Sequence, residues 1–503
     1  MMSIKLEQPK SILIVGGGTA GWMAATSFLA AWGENTQITL IESDDIGIIG
    51  VGEGSTPYLK QYFSNLNIEE KEWMAACDAT YKAGITFPRW STIKGYESYF
   101  HPFFSQFDLK PAEMFFHNSG LRRRGYQADV HPENYFVSSQ LVQQKLAPIP
   151  DSSIPFDVDY GYHFDSGKLG HFLKTRAKNL GLKHVVDHVQ SIVTTAHGEV
   201  DHIVSRNSGI LNADLYIDCT GFSSLILDKA LKVPFQSFNK SLFNNAAIAI
   251  PSPALAPDAI APHTVSTALS NGWAWEIPLT SRVGNGYVYS NDFQSADNAE
   301  LELRQKLNLV DADVEARHLK MKVGRVEHHW YKNCLGVGLS QGFIEPLEAT
   351  ALMLIQFTLE KFIKRVNSGA DTLNEQQHYN QEINATFDGV KDYIVAHYKL
   401  NTRTDSQYWH ACREDIIISN TLAELIETWD NGEDFERVLT KYKQELVYLR
   451  PSWYCILSGM GRFPGSAKTN NQAGPTQQAI AYCEKMAKQY FVSHHSQLST
   501  IHA

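Results

Sequence analysis

An α/β protein is what this sequence predicts: a Rossmann-like, dinucleotide-binding unit with a helical region packed against it. Three observations predict it. Ser11-Ile-Leu-Ile-Val15 is an apolar run that breaks into glycines and resumes as Thr19-Ala-Gly-Trp-Met-Ala-Ala25, the pattern of strand, tight turn and helix. A second strand-like run, Gln37-Ile-Thr-Leu-Ile-Glu42, ends in a carboxylate twenty-one residues after Gly21. From residue 375 onward the composition shifts to helices rich in Glu, Gln, Lys and aromatic residues. No repeat, low-complexity tract or flexible linker intervenes, so the chain divides into a binding unit, 1–375, and a covering helical region, 376–503.

Gly16, Gly18 and Gly21, with Thr19 and Ala20 between them, give the spacing G-x-G-x-x-G. Such glycines allow a sharp turn, close approach to a pyrophosphate and tight packing of helix on strand. The N–H groups at the helix start then face the anion. Glu42 stands where an acid takes the ribose hydroxyls, so an adenine dinucleotide, FAD or NAD, belongs at this end. Gly47-Ile-Ile-Gly-Val-Gly-Glu-Gly-Ser-Thr-Pro57 follows, with Gly50, Val51, Gly52 and Glu53 at its centre. Its glycine density fits a strap that hugs a ligand; a buried turn is the alternative.

The stretch Tyr58 to Trp90 is mostly helical in pattern and contains Lys82, which taken alone reads as a surface lysine. Tyr96 to His117, with His101 and Phe103, either lines an aromatic pocket or fills a core. A helix over Ser166 to Leu180 and a hairpin around His197-Gly-Glu-Val200 come next. Ala213-Asp-Leu-Tyr-Ile-Asp-Cys-Thr-Gly-Phe222 is a strand ending in Thr-Gly, which sets a glycine beside a nucleotide. Asn333 to Gly342, through Gly338, is a third such element. A long apolar helix then runs through Phe362. Pro346 suits its first turn, where the dipole favours Glu345 and Glu348 as anions; the other reading of these carboxylates is a catalytic acid. Helices over Thr421 to Trp429, Glu433 to Tyr448 and Gln477 to Phe491 complete the pattern.

Composition excludes several function classes. With 503 residues, 43% hydrophobic and 19% charged, the chain is of globular type. A net charge of −10 argues against a nucleic-acid binder or an anionic membrane surface as partner. Six scattered cysteines without C-x-x-C spacing suggest neither zinc nor a disulfide scaffold. With no charged leader and no long apolar run, a cytoplasmic, reduced protein is expected.

Gly272-Trp-Ala-Trp-Glu-Ile-Pro-Leu279 carries the order W-x-W-x-I-P in Trp273, Trp275, Ile277 and Pro278. By the two-residue period of a strand both indoles leave one face, and core packing is the usual fate of such a pair. Beside Gly16-Gly-Gly-Thr-Ala-Gly-Trp22, however, the string closely resembles the flavin-dependent tryptophan halogenase family. The resemblance continues through Gly50-Val-Gly-Glu53, Lys82, His101-Pro-Phe103, Asp218-Cys-Thr-Gly221, Gly286-Tyr-Val-Tyr289, Val323-Gly-Arg325, Phe343-Ile-Glu-Pro-Leu-Glu348 and Arg403-Thr-Asp405.

This resemblance implies a fold like the single-component flavin monooxygenases, with mixed sheets. FAD would lie across Gly16, Gly18, Gly21, Glu42 and the 47–54 strap, reaching Gly338 and Leu347. It would arrive reduced, as FADH2, from a separate NADH-dependent flavin reductase, and would oxidise a halide ion to hypohalous acid. Trp273 and Trp275 would wall the flavin from the aromatic substrate, and the oxidant would travel to Lys82, there either a hydrogen-bond donor to hypohalous acid or a transient haloamine. Glu348 would partner Lys82 and accept the departing ring proton. His101 and Phe103 would sit by the substrate ring.

Two departures from the family pattern bear on specificity. Glu348 is usually followed by Ser-Thr-Gly, whose amides help bind halide; here stand Ala349, Thr350 and Ala351. That change alters the halide pocket, so bromide, the easier halide to oxidise, is expected, with chloride as the alternative. In the C-terminal helices, anchored on Trp453-Tyr454-Cys455, Lys443 lies near the usual clamp glutamate and Tyr448 near the usual tryptophan. An apolar pocket discriminates weakly, so free indole and simple derivatives are the expected substrates. An aromatic monooxygenase and a flavin-binding protein with a decayed site are the alternatives. A monomer or homodimer is expected.

Overall fold

Ser11–Val15 lacks polar alternation because a parallel strand is covered on both faces; four of its five residues are buried. In the computed structural model, which describes residues 7–45, 52–369, 372–465, 468 and 472–503, it lies centrally in a six-stranded sheet. Leu215–Asp218 and Gln37–Glu42 flank it in parallel, with Ile12 opposite both Leu215 and Ile38. Cys334–Gly336 and Lys183–Val186 extend the sheet outward, also in parallel. The helix Thr19–Trp32 follows directly from the first strand. Gly16 makes this turn at φ +110°, and a Cβ there would collide with the Cys219 carbonyl oxygen.

A second, seven-stranded sheet carries the tryptophan pair. Its order is Arg317–Lys320, Ala246–Pro253, Arg282–Tyr289, Gly272–Pro278, Thr264–Leu269, Gly84–Pro88 and Ser98–Pro102. All neighbours are antiparallel except Thr264–Leu269 with Gly84–Pro88. A small sheet of Glu53–Gly54, Gly161–Phe164 and Thr80–Lys82 adjoins it. The C-terminal helices pack onto these layers. One apolar core runs from Ile12 to Ile501, and the 375/376 division falls near the start of the helix Thr372–Leu400.

The structure departs from the sequence reading in four places. Tyr58 to Trp90 is helical only over Tyr58–Asn65 and Glu70–Ala76, and Lys82 ends a strand. Its β-branched and aromatic residues, with Gly84, suit a pleated surface better than a helix. The apolar helix begins at Ala351, so Pro346, Glu345 and Glu348 precede its first turn. Ala349 adopts φ +56°, and this left-handed residue stops the helix from extending back. The helix expected over Glu433 to Tyr448 spans only Phe435–Lys441, leaving Tyr448 on the connection to Arg450–Gly459. A helix over His494–Ile501 was not legible at all. Among the described residues, no helix is long and apolar enough to cross a membrane, and no group of three or more His, Cys, Asp or Glu could hold a metal.

Gly16→Ala is expected to cost roughly 1–3 kcal/mol, the range for a backbone forced out of its allowed region. Calorimetry of the flavin-free protein reads this as a lowered thermal midpoint. An unchanged midpoint would show that the turn relaxes freely.

Candidate active site

The carboxyl ends of the parallel strands open onto a cleft of about 650 Å³. Gly16, Gly18, Thr19 and Ala20 line one end, with Glu42 and the Cys219–Gly221 turn beside them. The residues fit an adenine dinucleotide. The helix at Thr19 has no side-chain cap, which leaves its first N–H groups for an anion. The Cβ position of Gly18 is open space. Glu42 is held through Oε1 by Lys174 at 2.7 Å and His184 at 2.9 Å. Gly52 and Glu53 line the cleft further along, whereas Gly50 and Val51 lie outside the described residues. Gly21 is not in the lining; a Cβ there would strike the Gly16 carbonyl, so it serves the packing of turn on helix.

The far end is aromatic. Trp273, Trp275, Ile277, Gly338, Leu347 and Ala351 all face the cleft. The two indole centroids are 6.2 Å apart on one face of their strand. Trp273 Nε1 donates to Glu345 Oε2 at 2.9 Å, and that oxygen also accepts from Asn244 and Tyr398. Pro278 is outside the lining; its carbonyl accepts from Thr80 Oγ1.

Lys82 enters this same cleft from the end of Thr80–Lys82. Its side chain is fully buried, its Nζ has no hydrogen-bond partner among the described residues, and the Phe103 ring stands 5.5 Å away. Burial pulls its pKa from 10.5 down to about 7, opposed by the negative charge of Glu348. The amine thus titrates close to neutrality.

Glu348 is 3% exposed and lies beyond the cleft lining. The His101 Nδ1–H donates to its Oε2 and the His397 Nε2–H to its Oε1, both at 3.0 Å. Burial alone would raise this carboxyl, but His101 and His397 outweigh it and hold the pKa at about 2. His397 itself is driven toward the neutral ring by burial. A neutral ring still serves, donating through Nε2 and accepting the Tyr99 hydroxyl at Nδ1, 3.0 Å away. The electrostatic pull of His101 contributes most to keeping Glu348 ionised, followed by the hydrogen bonds from His101 and His397.

The other expected residues separate into two groups. Tyr448 stacks on Tyr393 at 3.7 Å, Trp453 meets Tyr393 edge-on at 5.0 Å, and Tyr393 is 5.9 Å from His101. Thr350, two residues after Glu348, is buried, and its hydroxyl has no partner among the described residues. Tyr454 belongs elsewhere: it packs on Phe116 and donates to Glu436 at 2.7 Å.

Residues 11–476 match the model of the tryptophan halogenase family. The chain belongs to this family. A 7-chloro-L-tryptophan 6-halogenase of Kutzneria sp. (strain 744) is 35% identical, over 91% of this chain and 92% of that protein. The structure of tryptophan 6-halogenase SttH from Streptomyces toxytricini covers 98% of this chain at 34% identity, with a TM-score of 0.86; all of that chain is matched. BrvH, a flavin-dependent halogenase from Brevundimonas sp. BAL3, covers 99% at 29% identity and a TM-score of 0.84, again over its full length. This protein is accordingly a flavin-dependent halogenase, and the family implies FAD and halide as its cofactors.

In this halogenase the sequence reading missed Tyr393 and His397, both on Thr372–Leu400. Their i, i+4 spacing puts them on one helical face, a signal present in the chain but indistinguishable from core packing. Thr264 and His163 also reach the site without a sequence motif to mark them.

Because the native pKa of Lys82 lies below that of the unfolded chain, the unfolded state binds more protons between about pH 7 and 10.5. Stability therefore rises with pH across that window. Lys82→Met is expected to stabilise the protein at pH 7 by roughly 2–4 kcal/mol, with the gain fading as pH approaches 10. Denaturant titrations of both proteins at several pH values check this. A gain independent of pH would mean that the amine is not desolvated.

Proposed function

We propose that this halogenase brominates free indole and simple electron-rich indoles, with Lys82 and Glu348 as its catalytic pair. The observation that carries the reading is a desolvated amine in the cleft, unpartnered among the described residues and within the electrostatic influence of a buried carboxylate that two imidazoles keep ionised. When bound, reduced FAD supplied by a separate reductase provides, with oxygen, the two-electron oxidation of halide to hypohalous acid.

The residues then divide the work. Backbone N–H groups at Thr350 and Ala351, where the helix Ala351–Ser368 begins, suit a halide ion. Trp273 and Trp275, with Trp273 pinned by Glu345, keep the aromatic substrate from the flavin end. Lys82 donates a hydrogen bond to the hypohalous acid oxygen and fixes its position. Glu348 stabilises positive charge on the attacked ring and takes the ring proton. His101 and Phe103 border that ring.

The substrate reading rests on Lys443 and Tyr448. Where tryptophan-specific members carry a clamp glutamate, this chain has the exposed Lys443. Tyr448 covers Tyr393 with an aromatic face instead of reaching for an amino acid. A site with a lysine where the clamp glutamate stands gains little from the substrate's amine.

Mass spectrometry of indole and tryptophan incubated with FAD, NADH, a flavin reductase and bromide or chloride tests the proposal. Halide-dependent bromoindole should form in preference to halotryptophan. Lys82→Ala should abolish it, and Glu348→Gln should lower its rate by roughly 100-fold or more. Oxygenated product without halide would replace this reading by an aromatic monooxygenase, and absence of any turnover would indicate a decayed site.

A further inference from the structure

A row of three side chains beside Lys82 donates its hydrogen bonds away from the cleft, from Thr264 through His163 to Thr80. Gly54 and Thr80 both pair with His163 across the small sheet. Thr264 begins the adjoining strand and lines the cleft. Thr80 Oγ1 donates its one proton to the Pro278 carbonyl at 2.7 Å, so toward His163 Nδ1, 3.1 Å away, it accepts. His163 is completely buried; burial first, and then the charge of Lys82, push its pKa well down and keep the ring neutral. With Nδ1 carrying the proton, Nε2 is a bare acceptor, and Thr264 Oγ1 donates to it at 2.9 Å. The oxygen of Thr264 is left with lone pairs alone.

Those lone pairs adjoin the lysine. A Cβ added to Gly54 would lie 3.3 Å from Lys82 Nζ, 3.5 Å from Thr264 Oγ1 and 3.6 Å from the Ala349 Cβ. Glycine leaves this space free between a donor and an acceptor.

The geometry points to a subsite for hypohalous acid between Lys82 Nζ and Thr264 Oγ1, an inference that rests on the halogenase mechanism proposed above. Hypohalous acid has one O–H to donate and oxygen lone pairs to accept. Lys82 supplies the donor. Glu348 lies beyond the cleft lining whereas Thr264 is part of it, so Thr264 supplies the acceptor. Held by both bonds, the oxygen stays at Lys82 and the halogen is free to face the ring. In the transfer, the oxygen–halogen bond breaks and a carbon–halogen bond forms. The oxygen keeps the bonding pair, takes a proton from Lys82 and leaves as water, while Glu348 takes the ring proton. Thr264 is the binding residue; His163 and Thr80 position it.

Thr264→Val and Thr264→Ser test the subsite in the full assay with bromide and indole, with monochlorodimedone trapping free hypobromous acid. Thr264→Val should lower bromoindole formed per NADH by about tenfold, the worth of one buried hydrogen bond, and raise the trapped oxidant by the missing amount. Thr264→Ser should restore coupling. Equal losses in both variants, or unchanged coupling in Thr264→Val, would overturn the subsite. If the wild-type enzyme gives neither bromoindole nor trapped oxidant, the halogenase mechanism itself fails, and the subsite with it. Spectra of 15N-histidine protein, assigned with His163→Gln, should show a neutral ring protonated at Nδ1; a charged ring or an Nε2 proton would also overturn the arrangement.

Discussion

The bonds from His101 and His397 to Glu348 are the interaction on which the site depends. A carboxylate that is 3% exposed is costly unless its lone pairs are satisfied, and each oxygen here accepts from a different imidazole. The two histidines come from opposite parts of the chain: His101 from the outer strand of the seven-stranded sheet, His397 from the long C-terminal helix. One side chain thereby ties the binding unit to the helical region. The Tyr99–His397 hydrogen bond and the stack of Phe87 on Tyr99 extend the tie into the core.

Two dry environments then meet at the cleft. Lys82 is deprived of partners, so its charge is easily given up, whereas Glu348 is supplied with them, so its charge is retained. Opposite treatment of the two ends by burial and hydrogen bonding gives an amine that titrates near neutral pH and a carboxylate that stays ionised there. Glu345 applies a similar device to the wall. It anchors Trp273 through an indole N–H that would otherwise be stranded in the core.

Local spacing carries strands, turns and the dinucleotide end, and these were legible in the sequence. Ser11–Val15 and Gln37–Glu42 have the expected bounds, and the glycine turn lies where the cleft begins. The lysine was harder to read. A strand of three residues is too short for periodicity to register, and the helical pattern before it extends naturally into it. The turn at Ala349 was concealed too, since alanine gives no sign of a left-handed backbone.

The sequence by itself determined the family and the glycine turn that opens the cleft, because motifs record chemistry that needs fixed residue types at short spacing. Tertiary structure alone decided what Lys82 and Glu348 are worth. Whether Lys82 is solvated, which imidazoles hold Glu348 and which hydroxyl faces the lysine depend on contacts between residues up to several hundred positions apart, and desolvation and hydrogen bonding act through space rather than along the chain.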